Sequence, residues 1–235
     1  MGGIFSTVTK ELFFAFLKYT LPFFGLTLLF SLPLGLLISF ASMSRFKIIS
    51  RITQCIVWVV RGVPLMLLVM ILVYVPGMNN IPTIIDVDKL SVFMPREWAY
   101  WFSDCIPIII AFVINYSCYF SEIFRGGIES INKGQYEAGQ VLGMTRTQTF
   151  FKVVLLQVVK RILPPMSNEV MTLIKDTALA NAVSVSEVIF TSYRMMSTYQ
   201  VIWPLFYSAI FYLAAVGVFT LLFKFFEKKL NYFKA

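Results

Sequence analysis

Between Met166 and Phe190 the chain sets Asn168, Glu169, Lys175, Asp176, Asn181 and Glu187 among apolar residues. At helical spacing Glu169, Thr172 and Asp176 share one face, and Asn168, Met171 and Lys175 share the adjacent one. Two roles fit charges of both signs so placed. They can serve the ammonium and carboxylate of a zwitterion, neither of which enters an apolar site unpaired. Alternatively, Lys175 and Asp176 form a structural network that fixes helix packing. In both cases the helix cannot face lipid all round, because an unpaired charge at mid-bilayer costs roughly 2.5–3.5 kcal/mol. A second polar face comes from Asn115, Cys118 and Glu122 at i, i+3 and i+7. Glu122 also stands one turn from Arg125, so a surface ion pair competes with a role in a solute path. Arg61 lies within an apolar stretch, where it either pairs with an internal carboxylate or meets a substrate carboxylate.

Other chemistries are excluded by composition. The 235-residue chain has no histidine, which removes a Ser-His-Asp triad and the common metal sites. Cys55, Cys105 and Cys118 show no CxxC spacing. No GxxxxGK[ST] phosphate cradle occurs, so any ATP hydrolysis must reside on another subunit. The formal charge of +8 invites nucleic acid, but the basic residues form no patch with an aromatic reading surface. Apolar residues make up 58% of the chain, a membrane composition.

The elements that must hold these residues are five apolar spans, about 21–43, 52–75, 105–124, 166–190 and 201–223. Each approaches the ~20 residues a bilayer core requires. Residues 1–20 read as an amphipathic segment, or as a helical extension of the first span, with Ile4, Phe5, Val8, Leu12, Ala15 and Phe16 at helical spacing. Pro22, Gly25, Pro33 and Gly35 predict kinks and close packing in the first span. If Arg61 marked the membrane surface, about 14 residues of the second span would remain, too few to cross. Arg61 is therefore expected to enter the bundle or snorkel to the inner face. The stretch 76–104 is polar for this chain and ends in the aromatic string Glu97–Phe102. It reads either as a loop on the bilayer or as a contact for a substrate-delivering protein. With the N-terminus outside, thirteen of the twenty Lys and Arg fall on inside segments, including Arg45, Lys47, Arg51, Lys133, Arg146, Lys160, Arg161 and the tail 224–235, against five outside, Lys10, Lys18, Lys89, Arg96 and Arg194.

The longest segment without a spanning run is Glu129–Pro165, within the inside loop 125–165. Gln135–Leu142 is a short helix candidate whose Ala138 and Gly139 allow close approach by another segment. Gly143 suits the left-handed residue that ends a helix, and Thr145 with Gln148 has capping-box spacing for a second helix through about Val159. Leu163-Pro164-Pro165 closes the segment. A basic helix–turn–helix outside the bilayer suits docking into a groove of a soluble partner.

Glu137-Ala138-Gly139 followed by Gly143 resembles the cytoplasmic "EAA" loop of ABC-importer permeases. Its flanks RGGIESINKGQYEAG and LPPMSNEVMTLIKDTALA, with Arg61-Gly62-Val63-Pro64, the Asn115–Gly127 string and Lys175-Asp176-Thr177, resemble the polar amino-acid uptake branch. The likeness runs from about Gly25 to the C-terminus. It departs at Leu156, where the family usually has proline, and at Ala178, where serine is usual. The resemblance implies an all-α type I importer permease in a bacterial plasma membrane, with no cofactor in this chain and ATP and Mg on a partner ATPase. It also implies a second permease, self or similar, an ATPase dimer, a solute-binding protein outside and an amino-acid substrate. Gln135, Glu137, Ala138, Gly139 and Gly143 would couple to the ATPase. Arg61, Asn115, Glu122, Glu169, Thr172, Lys175, Asp176 and Thr177 are candidates for the translocation path. The competing reading is an ion-coupled secondary transporter, which intramembrane charges would also serve, although few spans and no internal repeat weigh against it. A membrane-embedded enzyme fits least.

Overall fold

The N-terminal third of the chain is set by one uninterrupted helix and one broken one. In the computed structural model, which describes residues 2–78, 88 and 91–230, α1 (Gly2–Ala15) passes through a π-turn at Phe16–Thr20 into α2 (Leu21–Ser42). The joined helix Gly3–Ser42 has 40 residues and is ~60 Å long. The expected N-terminal segment is thus the leading part of the first span's own helix. Its stripe Val8, Leu12 and Ala15 is buried in one cluster with Val188 and Met195, while Phe13, Phe14 and Leu17 are exposed.

The second span expected at 52–75 falls on a bent pair of helices: α3 (Lys47–Gly62) and α4 (Leu65–Met78) meet at 95° across Val63 and Pro64. The cause is local: a residue before proline is pushed out of the α region, and Val63 is extended at φ −92°, ψ 132°. Arg61 therefore lies in the last turn of α3, and α4 alone covers only ~21 Å.

Helix α5 runs from Arg96 to Glu129 and absorbs both the aromatic string Glu97–Phe102 and the third span. Of the loop expected at 76–104, residues 79–87, 89 and 90 lie outside the described residues. After α5 come α6 (Gly134–Val141) and α7 (Arg146–Thr149), which continues through a second π-turn, Phe150–Val154, into α8 (Leu155–Asp176). Pro164 and Pro165 do not close this segment; they lie inside α8, which passes straight through the end expected near Val159.

The span expected at Met166–Phe190 is also divided. The α-helix stops at Asp176 and tightens to a 3₁₀ helix over Thr177–Val183. It turns at Ser184, with φ 62°, and restarts as α9 (Val188–Tyr199). The low hydropathy of this stretch is shared between a polar face of α8, with Asn168, Glu169 and Lys175, and the helix end and turn that follow it. The last helix, α10 (Trp203–Leu230), extends the expected span into the basic tail, and residues 231–235 fall outside the described set.

Among the described residues three helices, Gly3–Ser42, Arg96–Glu129 and Trp203–Leu230, are long and apolar enough to cross a membrane, and α3 with α4 makes a fourth if the bent pair is one span. No strand occurs among the described residues. The tightest packing is α2 on α5. Thr27, Ser31, Gly35 and Ser39 are all buried on α2, a run of small residues that lets two backbones approach. A Cβ on Gly35 would lie 2.9 Å from both the Phe120 Cβ and the Ser117 carbonyl oxygen. Around this seam Phe23, Trp101, Phe112, Tyr116, Leu173 and Ile174 form the main core.

Candidate functional site: a polar path and a docking loop

Tyr116 and Tyr119, nearly one turn apart on α5 with rings 6.3 Å apart, connect two polar clusters. In the first, the Tyr116 hydroxyl donates to the Asp176 Oδ2 at 2.7 Å, tying mid-α5 to the C-terminal end of α8. Asn115 beside it is buried. Thr177, fully buried, donates to the Ile174 carbonyl at 2.7 Å and so helps close the end of α8. Asp176 thus has Tyr116 rather than Lys175 as its hydrogen-bond partner. Lys175 is exposed and forms no ion pair within 4 Å among the described residues. Asn168 and Thr172 are exposed with it, at i, i+4 and i+7, and Glu169 is half-buried alongside. Thr172 donates to the Asn168 carbonyl at 3.0 Å. An exposed stripe of amide, hydroxyl and ammonium on a helix of the membrane bundle suits a water-filled path or a protein neighbour, not lipid.

The second cluster surrounds Glu122. Arg125 grips it with both arms, Nη2 to Oε2 at 2.6 Å and Nε to Oε1 at 3.1 Å, and reaches Glu129 through Nη1 at 3.0 Å. Arg61 approaches the same Glu122 Oε2 at 3.7 Å, its guanidinium 4.9 Å from the Tyr119 ring centroid. Tyr119 donates in turn to the Arg61 carbonyl at 3.4 Å. The surface ion pair Glu122–Arg125 is therefore formed, and Arg61 joins it from the end of α3. This cluster braces the 95° break against α5.

The docking loop is built from packing and caps. Gly139 is buried, and a Cβ there would lie 2.4 Å from the Thr149 Oγ1 and 2.7 Å from its Cγ2, so α6 rests directly on Thr149. Gly143 turns the chain at φ +70°. Thr145 then caps α7: its Oγ1 accepts from the Gln148 N–H at 3.3 Å, while the Gln148 Oε1 accepts from the Thr145 N–H at 2.9 Å. Gln157 on α8 donates to the Gln135 Oε1 at 3.2 Å, and Arg161 donates to the Ser130 carbonyl. Beneath lie Ile131, Val154 and Val158, packed with Tyr136 and Ile162. Against this fixed base the outer side of α6 is bare: Glu137 and Ala138 are exposed, Val141 is 87% exposed and Leu142 78%. Two adjacent aliphatic side chains that far into solvent beside a carboxylate make a small exposed apolar patch.

Sequence reasoning named Glu187 among the charges of this stretch but missed its role. It is fully buried and accepts from the Ile189 and Phe190 N–H groups, each at 2.7 Å, and from the Tyr212 hydroxyl at 3.0 Å. It is the N-cap of α9 and fastens that helix to α10. Glutamate is not among the preferred N-caps, so the only sequence signal was a carboxylate directly before the apolar run Val188-Ile189-Phe190. Among the described residues no group of three or more His, Cys, Asp or Glu is placed to hold a metal ion.

This architecture has known counterparts. The family model described as "Binding-protein-dependent transport system inner membrane component" matches residues 31–232. The L-cystine transport system permease protein TcyB of Bacillus subtilis (strain 168) is 34% identical over 170 residues, 72% of this chain and 64% of that protein, so the match spans under two thirds of that relative's length. The arginine transport system permease protein ArtQ of the same organism is 29% identical over 216 residues, 92% of this chain and 90% of its own. Among solved structures, an amino acid ABC transporter crystallised with histidines superposes with a TM-score of 0.74 at 25% identity, over 92% of this chain and 94% of that one. The MetNI methionine ABC transporter, at 14% identity and a TM-score of 0.63, shares the fold. A match across most of the length, on a helical bundle carrying a capped and exposed loop, places the chain among the inner membrane components of binding-protein-dependent transport systems, the permease subunits of ABC importers.

Proposed function

We propose that the chain is the translocating subunit of an ATP-driven amino-acid importer, working by alternating access and driven through α6 by a separate ATPase. The observation that carries this reading is the bare outer side of α6, Glu137, Val141 and Leu142, on a helix held from beneath by Gly139 on Thr149 and by the Gln157–Gln135 bond. A surface loop without a partner has no need of so rigid a base. Movement of an ATPase dimer against α6 would pass through the cap at Thr145 and the π-turn into α8, whose far end holds Asp176 and Lys175. Closure of the ATPase dimer would open the cavity between two permeases outward to receive solute from a binding protein, and hydrolysis would return it inward.

The exposed stripe Asn168, Thr172 and Lys175, with Glu169 and Asp176 behind it, would line the path. It offers donors to a carboxylate and acceptors to an ammonium, both of which an amino acid brings into the bilayer. Arg61 and Glu122 would act one layer away, by holding the α3–α4 break in register with α5. The N-terminus would face outward and the C-terminus the cytoplasm, in the sense of the charge asymmetry. ATP and Mg would bind only on the ATPase.

The test is uptake of labelled amino acid and ATPase activity in liposomes holding the chain with its ATPase, wild type against Glu137→Lys. Loss of uptake in the variant, with the ATPase still co-purifying from the wild type, is the expected result. Solute movement by the chain with no ATPase present would overturn it in favour of ion coupling.

A further inference from the structure

Asp176 is a carboxylate in an unfavourable place. It is the last residue of α8, at the carbonyl end of the helix, where negative charge is disfavoured. It is half-buried, and its Oδ2 accepts from the Tyr116 hydroxyl at 2.7 Å. A tie between α5 and α8 does not call for charge. An asparagine oxygen would accept the same bond without the cost of drawing a carboxylate partly out of water. Nor does a cation of the chain answer it. Among the described residues no Lys or Arg lies within 4 Å of Asp176, and Arg61 is engaged with Glu122.

Tyr116 supplies a rigid seat. It is 2% exposed, its ring stacked on Phe112 at 6.4 Å between centroids and packed against Phe120 at 6.0 Å. The hydroxyl so fixed keeps Asp176 on the core side of α8. Consecutive residues of a helix diverge by about 100°, so the exposed Lys175 points elsewhere and the two opposite charges do not cancel. The Asp176 Oδ1 has no donor among the described residues.

We propose that Tyr116 is a positioning residue of the solute path: it holds Asp176 by one oxygen and leaves the other to receive the ammonium of an amino acid. This rests on the reading of the chain as an amino-acid permease and adds to it the residue that sets where the ammonium sits. The cation missing around Asp176 is then the ligand's own, and Lys175, one residue away, remains free for the ligand's carboxylate.

The test is equilibrium binding, in detergent, of each radiolabelled protein amino acid and of cystine to the chain assembled with its ATPase. For the tightest ligand, Tyr116→Phe should weaken binding roughly tenfold, the effect of a lost hydrogen bond to a charged group. Its thermal melting should stay near wild type, since the packed ring is kept. Asp176→Asn should weaken binding at least as much. Tyr116→Phe/Asp176→Asn should lose no more than Asp176→Asn alone, because a positioning residue acts only through the group it holds. Asp176→Glu keeps the charge, moves it off the seat and leaves the core untouched, so it should match Tyr116→Phe even where that variant fails to fold. The N-acetylated form of the ligand, which lacks the ammonium, should bind wild type and Asp176→Asn alike. Additive losses in the double variant, unchanged binding in Asp176→Glu, or a wild-type preference of the N-acetylated ligand would each overturn the inference. Those results would leave the permease reading standing. A wild-type complex that binds none of the probes would count against that reading and the inference together.

Discussion

Gly139→Ala offers a sharp test of how α6 is held, because two physical effects predict opposite signs. In an isolated helix, alanine for glycine stabilises by about 0.5–1 kcal/mol. Here the new Cβ would fall 2.4 Å from the Thr149 Oγ1 and 2.7 Å from the Cγ2, far inside van der Waals contact. Thr149 cannot easily yield. Its side chain is β-branched and stiff, it is 1% exposed, and its hydroxyl donates to the Thr145 carbonyl at 3.1 Å. Overpacking of this kind costs about 1–3 kcal/mol, which exceeds the gain in propensity. The clash should tip α6 away from α7, and coupled uptake should fall about tenfold while the transmembrane bundle keeps its thermal stability. Thr149→Ala removes both clashing atoms and leaves a 3.1 Å contact with the Cβ, which a shift of a few tenths of an ångström relieves. The double variant should therefore recover most of the activity, giving a positive interaction in a double-mutant cycle. Uptake within twofold of wild type in Gly139→Ala, or no recovery in the double variant, would refute the argument that this contact seats the helix.

Two further outcomes follow from the buried seams. Glu187→Ala removes the cap of α9 and the acceptor of the Tyr212 hydroxyl, so unfolding in detergent should shift by about 1.5–5 kcal/mol, the sum of a lost N-cap and an unsatisfied buried donor; Tyr212→Phe should recover part of the loss. Gly35→Ala forces a Cβ against the Ser117 carbonyl oxygen, backbone that cannot rotate away. It should destabilise by about 1–3 kcal/mol, whereas Gly25→Ala, with nothing within 4 Å, should be neutral or stabilising in the same melt.

The docking loop was the most legible part of the chain. Its signals are local: Gly143 in the left-handed region and the Thr145–Gln148 box act within a few residues, and such rules survive any tertiary context. The spans were less so. A hydropathy window counts apolar residues and cannot see direction, so it joined α3 to α4 and α8 to α9. The clue at the first break was already present in Gly62-Val63-Pro64 and in the fourteen residues left beyond Arg61. At the second, the positive φ falls on Ser184 rather than glycine and the cap on glutamate, two departures from the usual pattern. Among site residues, the i, i+3 and i+4 spacings brought Glu122 to Arg125 correctly, since that pair lies on one helix. Tyr116 to Asp176, sixty residues apart, needed the fold. Pairs across helices are fixed by packing, which periodicity does not encode.

The π-turns at Phe16–Thr20 and Phe150–Val154 bear on how chain length can vary in this protein. A π-turn holds one residue more than the α-turn it replaces. Removing a residue elsewhere in a long helix rotates everything beyond it by about 100° and takes its core residues off the seam. Removing one within either π-turn relaxes the helix to ordinary winding and leaves the downstream register in place. Tolerance of single-residue deletions within the long helices is thus concentrated at two sites. One lies between α1 and α2, and the other lies where the loop that carries α6 enters α8, so the reach of that loop can be adjusted without disturbing Asp176 at the far end of the same helix.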